Sequence, residues 1–306
     1  MKTGLVAELE ELIGLKQHVQ SKGCYLKWRT NQGPGQTDKR ILGRGMDFAE
    51  VRNYQPGDEI RHMDWRVTAR TGRPYIKLYQ EERERPFMLV CEFGASLYFG
   101  TKIALKSVIA ARLAALIAWT VVQQEDRIGG IIHTAAGYRD WLPRARHNGV
   151  LPILSSLSTA TQLTYDEYNG QENSNLSSLL ERLTPRLRPG SLIIILSDFY
   201  TLDDAAEKQL IRLRQHYPLA IYSIWDPFEI SPPLPGRYPI TNGQDFDFLD
   251  MTCPHFRKNY QSYCEERRQR LVSICKQLQI QETPVITGMD LPNLVQTTFA
   301  RSHYGR

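Results

Sequence analysis

"SLIIILSDF", residues 191 to 199, is the stretch whose reading decides how this chain folds. Leu192 to Leu196 are apolar without alternation, so both faces of such a strand must meet apolar partners. A membrane span would need about 20 residues of this kind. The run instead stops at Ser197 and Asp198, residue types that favour helix starts, and a helix is expected over 203–216. "FMLVCEF", residues 87 to 93, repeats the arrangement. It is an apolar run that reaches Glu92 and then Ser96 ahead of a helix expected over 101–123.

Working outward, "RIGGIIH" (127–133), "GYRDWL" (137–142), "LAIYSIW" (219–225) and "TPVIT" (283–287) read as further strands. Helices are expected near 148–158, 174–186, 254–279 and 291–300. Buried strands alternating with helices define an α/β protein with a doubly wound sheet from about residue 86 onward. Ahead of it stand a helix over 5–20, a strand at "CYLKW" (24–28) and a polar, Gly-rich connector, "TNQGPGQTDKR" (30–40). Strands are expected near 60–68 and 74–81, with Gly72 in the turn between them. "RYPITNGQDFDFLDM" (237–251) reads as a hairpin turning at Asn242–Gly243. These features divide the chain into an N-terminal helix, strand and connector (1–40), a small β-rich segment (41–85) and the α/β domain (86–306).

The 306 residues are 42% hydrophobic and 23% charged, as in ordinary globular proteins. The net charge of +5 is mild for this length and by itself gives only a weak vote for an anionic partner. Five cysteines without a CxxC pair suit a reducing cytoplasm better than a disulfide framework. Cys264 and Cys275, three helical turns apart, fall on one face with Leu271 and Leu278, which favours packing over metal binding. "LVAELEELIGLK" near the start is charged and amphipathic, unlike a signal peptide. "VIAARLAALIAWTVV" (108–122) is the most apolar segment, but it is short and broken by Arg112, so a core helix and no membrane insertion are expected.

Chemistry-bearing residues concentrate in two places. At the carboxyl ends of the two buried strands, Glu92, Ser96 and Asp198 bring oxygen ligands of the kind Mg²⁺ prefers, although the same residue types serve as helix caps. The second place is "EVRNYQPGDEIRHMDWRVTARTGRPYIK", residues 50 to 77. As a strand it sets Met63, Trp65 and Val67 on one face and His62, Asp64 and Arg66 on the other. Asp58, Arg61, Asp64, Arg66 and Arg70 then form a charge network suited to partner docking or to scaffolding. A hydrolytic site on His62, Asp58 and Asp64 lacks an adjacent Ser or Cys nucleophile. There is no G-x-x-x-x-G-K-[ST] loop for ATP. His133, His147 and His216 are isolated and read as surface or capping histidines. The long helix at 254–279 has a solvated charged face, not a nucleic-acid stripe.

"GRGMDFAEVRNYQPGDEIRHMDWRVTARTGRPYIKLYQEERERP" (43–86) resembles the signature of the bacterial "domain of unknown function 58" family. "FMLVCEFGASLYFGTK", "RIGGIIH", "SDF", "DPFEISPPLPGRYPI" and "TPVITGMDLPNLV" extend that resemblance over nearly all of the chain beyond residue 40. It implies a von Willebrand factor A-like domain, with a mostly parallel sheet and helices on both faces, behind a small β-rich segment. It also implies a cytoplasmic protein that works with a MoxR-type AAA+ ATPase to assemble or mature a client protein.

Von Willebrand A domains hold a divalent ion on an Asp-x-Ser-x-Ser loop, a Thr and a later Asp. Here Glu92 replaces the leading Asp and Gly94 the first Ser, while Ser96 and Asp198 match. The Thr loop should fall near "PRARHNGVL" (143–151), which contains no Thr. The resemblance therefore implies a degenerate metal site on Glu92, Ser96 and Asp198, with Mg²⁺ held weakly or not at all. The expected function is non-enzymatic protein–protein interaction. A metal-dependent hydrolase at the same crevice and a weak nucleic-acid binder are the alternatives, and neither has a motif behind it.

Overall fold

The structure, a computed structural model, describes residues 4–19, 46–81, 85–134, 136–162, 175–241 and 245–299. The strand expected at 24–28, the connector at 30–40 and the turn at Asn242–Gly243 lie outside these. The chain forms two compact units, one of residues 1–28 with 85–306 and one of residues 29–84. Near the N-terminus, helix α1 (Leu9–Gly14) runs into a 3-10 turn, Leu15–His18.

In the smaller unit, strands β1 (Met46–Asn53) and β2 (Tyr75–Glu81) pair antiparallel. The strand expected near 60–68 is not there. Ile60–His62 is a 3-10 turn and Trp65–Thr71 is a helix, α2. The reason is local. The Asp64 carboxylate accepts the amides of Arg66 and Val67, an N-cap that starts a helix, and Gly72 ends it at φ +69°. Of the alternating trio read as one buried face, only Met63 pairs like a strand residue, through a single bridge to Ile76. Trp65 is 65% exposed.

The larger unit is built on β3 (Pro86–Glu92), β4 (Arg127–Thr134), β5 (Gly137–Ala145), β6 (Leu192–Ser197), β7 (Leu219–Trp225) and β10 (Gln281–Ile286). Their spatial order is β5-β4-β3-β6-β7-β10, all parallel except the edge strand β5. An exposed hairpin of β8 (Arg237–Thr241) and β9 (Phe246–Asp250) stands apart from that sheet.

Unbroken apolar runs become fully covered strands because helices lie on both faces. Phe87, Leu89 and Cys91 of β3 pack to one side with Ile194 and Leu196 of β6. Helices α3 (Lys106–Gln123), α4 (His147–Gln162) and α9 (Leu291–Phe299) cover that side, joined by Leu12 of α1. Met88, Val90, Ile193 and Ile195 point the other way, under α5 (Leu176–Leu183), α6 (Asp204–His216) and α8 (Pro254–Gln277). Cys264, Leu271 and Cys275 share the buried face of α8, as their spacing predicts.

α3 is buried on nearly every side and is the one described helix long and apolar enough to cross a membrane by length and composition. It is buried between the sheet and its neighbouring helices. Arg112, which interrupts its apolar run, pairs with Glu11 at 2.5 Å, and Trp119 Nε1 donates to the Leu12 carbonyl at 3.0 Å. The helix begins at Lys106, five residues later than expected. The reason is that the Thr101 amide and hydroxyl are held by Asp226, and Leu105 remains extended.

Candidate functional site

The strand order reverses between β3 and β6, and in open α/β sheets such a switch point opens a crevice at the carboxyl ends of the strands. Four strands bring polar residues there at one register level on one face. They are His133 (β4), Glu92 (β3), Ser197 (β6) and Ser223 (β7). All four are buried.

Glu92 is 3% exposed and accepts two hydroxyl hydrogen bonds, from Ser197 Oγ at 2.6 Å and from Thr201 Oγ1 at 2.5 Å. Each hydroxyl in turn accepts a backbone N–H, from Phe199 and Leu176 respectively, which fixes the direction in which it donates. Phe199 adopts φ +53°, a conformation that side-chain-bearing residues rarely take, and so turns the chain sharply after Asp198. Burial pushes the Glu92 carboxyl up to about 7. The two hydroxyls oppose that rise, and the nearby Asp198 charge adds to it.

Asp198 does not face Glu92's hydroxyl partners but a cation. Lys106 Nζ lies 2.8 Å from Asp198 Oδ2 and 3.0 Å from both Glu229 oxygens, with Lys106 and Asp198 almost fully enclosed. Burial draws the Lys106 pKa down, but Asp198 and Glu229 together outweigh it and hold the ammonium above the ordinary lysine value.

Glu229 belongs to a short helix, α7 (Pro227–Ile230), started by a capping box. In it the Asp226 carboxylate accepts the Phe228 amide while Glu229 Oε2 accepts the Asp226 amide. Asp226 also takes the Thr101 amide and hydroxyl and the Thr287 hydroxyl. Arg267 of α8 closes the network. Its guanidinium donates to Glu229 and to the Asp198 carbonyl and stacks over Tyr200, 4.6 Å from the ring centre.

The divalent ion implied by the von Willebrand resemblance does not fit these donors. Both Glu92 oxygens accept hydroxyl hydrogens. Asp198 Oδ1 accepts the Tyr200 amide and its Oδ2 holds the ammonium. Mg²⁺ needs near-octahedral oxygen ligands at about 2.0–2.1 Å, and on Asp198 it would stand beside a fixed positive charge. Ser96 lies half-buried on a 3-10 turn, Ala95–Tyr98, and shares no described hydrogen bond with Glu92 or Asp198. Among the described residues no group of three or more His, Cys, Asp or Glu is placed to hold a metal. Residues 143–151, where the Thr loop was expected, form the end of β5 and the first turn of α4, and the hydroxyl that reaches Glu92 is that of Thr201.

In the smaller unit, the charged residues do not form the network expected of them. Asp58 accepts from Arg52 at 2.7 Å and from the Gln55 amide at 2.8 Å, closing the turn at Gly57. The amide first, then the guanidinium, hold its pKa below the usual range. Asp64 caps α2 and lies 3.6 Å from Lys77, and its pKa is lowered mainly by the Val67 amide. Arg66 and Arg70 project from α2 and Arg61 from the preceding 3-10 turn, all exposed, with no described ion pair.

His133 corrects a further expectation. It is 1% exposed, neither ring nitrogen has a described partner, and its ring lies 4.7 Å from that of Tyr138. Burial pulls its pKa down to about 4. His147 and His216 are exposed, as expected. Sequence reasoning missed Lys106, Thr201, Asp226, Glu229 and Arg267. The spacing of Asp226 and Glu229 around Pro227 is a legible capping-box signal. A lysine in the first turn of a helix gives no such signal.

The chain has the mostly parallel, doubly wound α/β sheet with helices on both faces that is expected of it. It belongs to the family described as protein of unknown function DUF58, which it matches over residues 50–270. Uncharacterized proteins of Mycobacterium tuberculosis and Mycobacterium bovis are 31% identical to it over 159 residues, 52% of this chain and 49% of theirs. The chain thus spans about half the length of the curated relatives it matches. Among solved structures it is similar to the conserved hypothetical protein BatB from Bacteroides thetaiotaomicron, with 10% identity over 70% of this chain and 96% of that one and a TM-score of 0.40. It is also similar to a von Willebrand factor type A protein from Catenulispora acidiphila, with 10% identity over 48% of this chain and 34% of that one and a TM-score of 0.32.

Proposed function

We propose that this chain is a non-enzymatic protein–protein interaction module, a cytoplasmic adaptor that acts with a MoxR-type AAA+ ATPase in assembling or maturing a client protein. The observation that carries the non-enzymatic part is the commitment of the crevice side chains to one another. Glu92 is held by Ser197 and Thr201, and Asp198 and Glu229 by Lys106 and Arg267. A hydrolase needs a base or nucleophile free to meet substrate. Membership of the DUF58 family supports an interaction role at the coarse level only, and the ATPase and client are part of the proposal.

Asp64 and Asp198 are fixed in place by internal bonds, so the docking surface is better sought on the exposed residues Arg61, Trp65, Arg66 and Arg70. The test is co-purification of the tagged chain from its host with Mg²⁺ and a non-hydrolysable ATP analogue, the partners being identified by mass spectrometry. Recovery of an AAA+ ATPase, lost in a folded Arg66→Glu/Arg70→Glu variant, supports the adaptor reading. A preparation free of any AAA+ ATPase overturns it.

A further inference from the structure

We propose that the Lys106 ammonium is the resident cation of the switch-point crevice, built into the chain where a divalent ion would otherwise sit, so that removing its side chain opens a Mg²⁺- or Mn²⁺-binding site between Asp198 and Glu229. The inference stands apart from the adaptor reading and does not depend on any partner.

The argument begins with charge. Asp198 and Asp226 are sealed from solvent, and the Glu229 side chain is only 9% exposed. Carboxylates at such depth must be neutralised, paired or bound to a metal. Asp226 is satisfied by the hydroxyls and amides around it. Asp198 and Glu229 instead converge on Lys106. An ammonium has three N–H donors, and three carboxylate oxygens stand at 2.8, 3.0 and 3.0 Å from this one. The cation position is therefore coordinated to capacity.

Helix geometry gives a second, independent reason. Lys106 is the first residue of α3, where the helix dipole disfavours a positive charge. α3 is buried along nearly its whole length, so a charge on this side chain needs partners within the protein. It turns inward and lies 1% exposed because the carboxylates hold it there. Its pKa is held up rather than down, the opposite of what a nucleophilic lysine needs. Arg267 reaches only the Glu229 carboxylate, at 3.4 Å, gives its other bond to the Asp198 backbone carbonyl, and stacks its charge on aromatic rings.

The experiment compares wild type, Lys106→Ala, Lys106→Met and Lys106→Ala/Asp198→Asn by thermal melts in EDTA, Mg²⁺ and Mn²⁺. Mn²⁺ binding is followed in parallel by electron paramagnetic resonance. Wild type is expected to bind no stoichiometric Mn²⁺ and to melt at the same temperature in every condition. Lys106→Ala melts lower in EDTA, binds one Mn²⁺ and gains roughly 5 °C in saturating Mn²⁺. Lys106→Met loses the charge but fills the space, and gains nothing from the metal. The double variant loses Mn²⁺ binding.

Wild-type protein that binds one Mn²⁺, with binding abolished by Asp198→Asn, overturns the proposal. So does a folded Lys106→Ala that takes up no metal. A Lys106→Ala that folds only when Mn²⁺ is present supports it. Should that variant fold in neither condition, the wild-type Mn²⁺ measurement decides.

Discussion

Glu92 and His133 are register partners on adjacent parallel strands, both sealed from solvent, and burial moves their pKa values in opposite directions. The Glu92 carboxyl rises to about 7, so between pH 4.5 and 7 the folded chain keeps a proton that the unfolded chain has lost. Its contribution to stability is complete below 4.5 and is lost as pH rises through 7, a change on the order of 3 kcal/mol. His133 behaves in the mirror sense. Its folded value near 4 lies below the ordinary 6.5, so its contribution is present above 6.5 and is lost as pH falls through 4. The two slopes oppose each other between pH 4.5 and 6.5 and largely cancel in wild type, so urea unfolding between pH 4 and 8.5 should show Glu92→Gln exposing a rise in stability with pH and His133→Phe exposing a fall. Profiles parallel to wild type would sink this account.

Lys106→Met leaves Asp198 without its cation and Glu229 with Arg267 alone, at 3.4 Å. Breaking a buried pair by removing one partner costs about 3–5 kcal/mol, and a loss of that size should appear in the urea midpoint. Adding Asp198→Asn to Lys106→Met removes one stranded charge. The double variant should therefore be less damaged than the sum of the single ones. Strict additivity would mean that the two side chains do not interact.

Asp226→Ala strips the acceptor from Thr101, Phe228 and Thr287 together. Orphaned buried donors cost about 1–3 kcal/mol each, with relaxation reducing the total. A loss of about 3 kcal/mol is expected, and a smaller one for Asp226→Asn, which keeps one acceptor oxygen. Equal losses in the two variants would contradict the hydrogen-bond account.

Asp64→Ala removes the cap of α2 and Asp64→Asn retains it. Amide hydrogen exchange at Arg66 and Val67 should quicken in the first variant and change little in the second. Arg66→Ala should leave exchange near wild type, because its exposed side chain holds no described partner. A protected Val67 amide in Asp64→Ala would show that the helix does not depend on its cap.

The sheet was legible in the sequence because "SLIIILSDF" and "FMLVCEF" leave an unbroken apolar run only one arrangement, buried on both faces. Residues 60–68 were misread because period-two spacing of Met63, Trp65 and Val67 outweighed a competing signal. That signal was Asp64 ahead of "WRVTART" with Gly72 behind it, the start and stop of a helix. Glu92 and Asp198 were found at the crevice from strand ends alone. Lys106 was not, since its partners stand 92 and 123 positions away and only the folded sheet brings them together. Nothing in "RIGGIIH" announces that His133 is buried with its ring against Tyr138.

The Lys106–Asp198–Glu229 trio also constrains descent. Losing the lysine alone strands Asp198 and leaves Glu229 with Arg267 only, and losing Asp198 alone leaves the ammonium one acceptor short in a dry pocket. Each first step towards another arrangement passes through a less stable protein. Within a lineage, lysine at this point of the helix and the two acids far along the chain should therefore be inherited as one unit, and where one is replaced the others should be replaced with it.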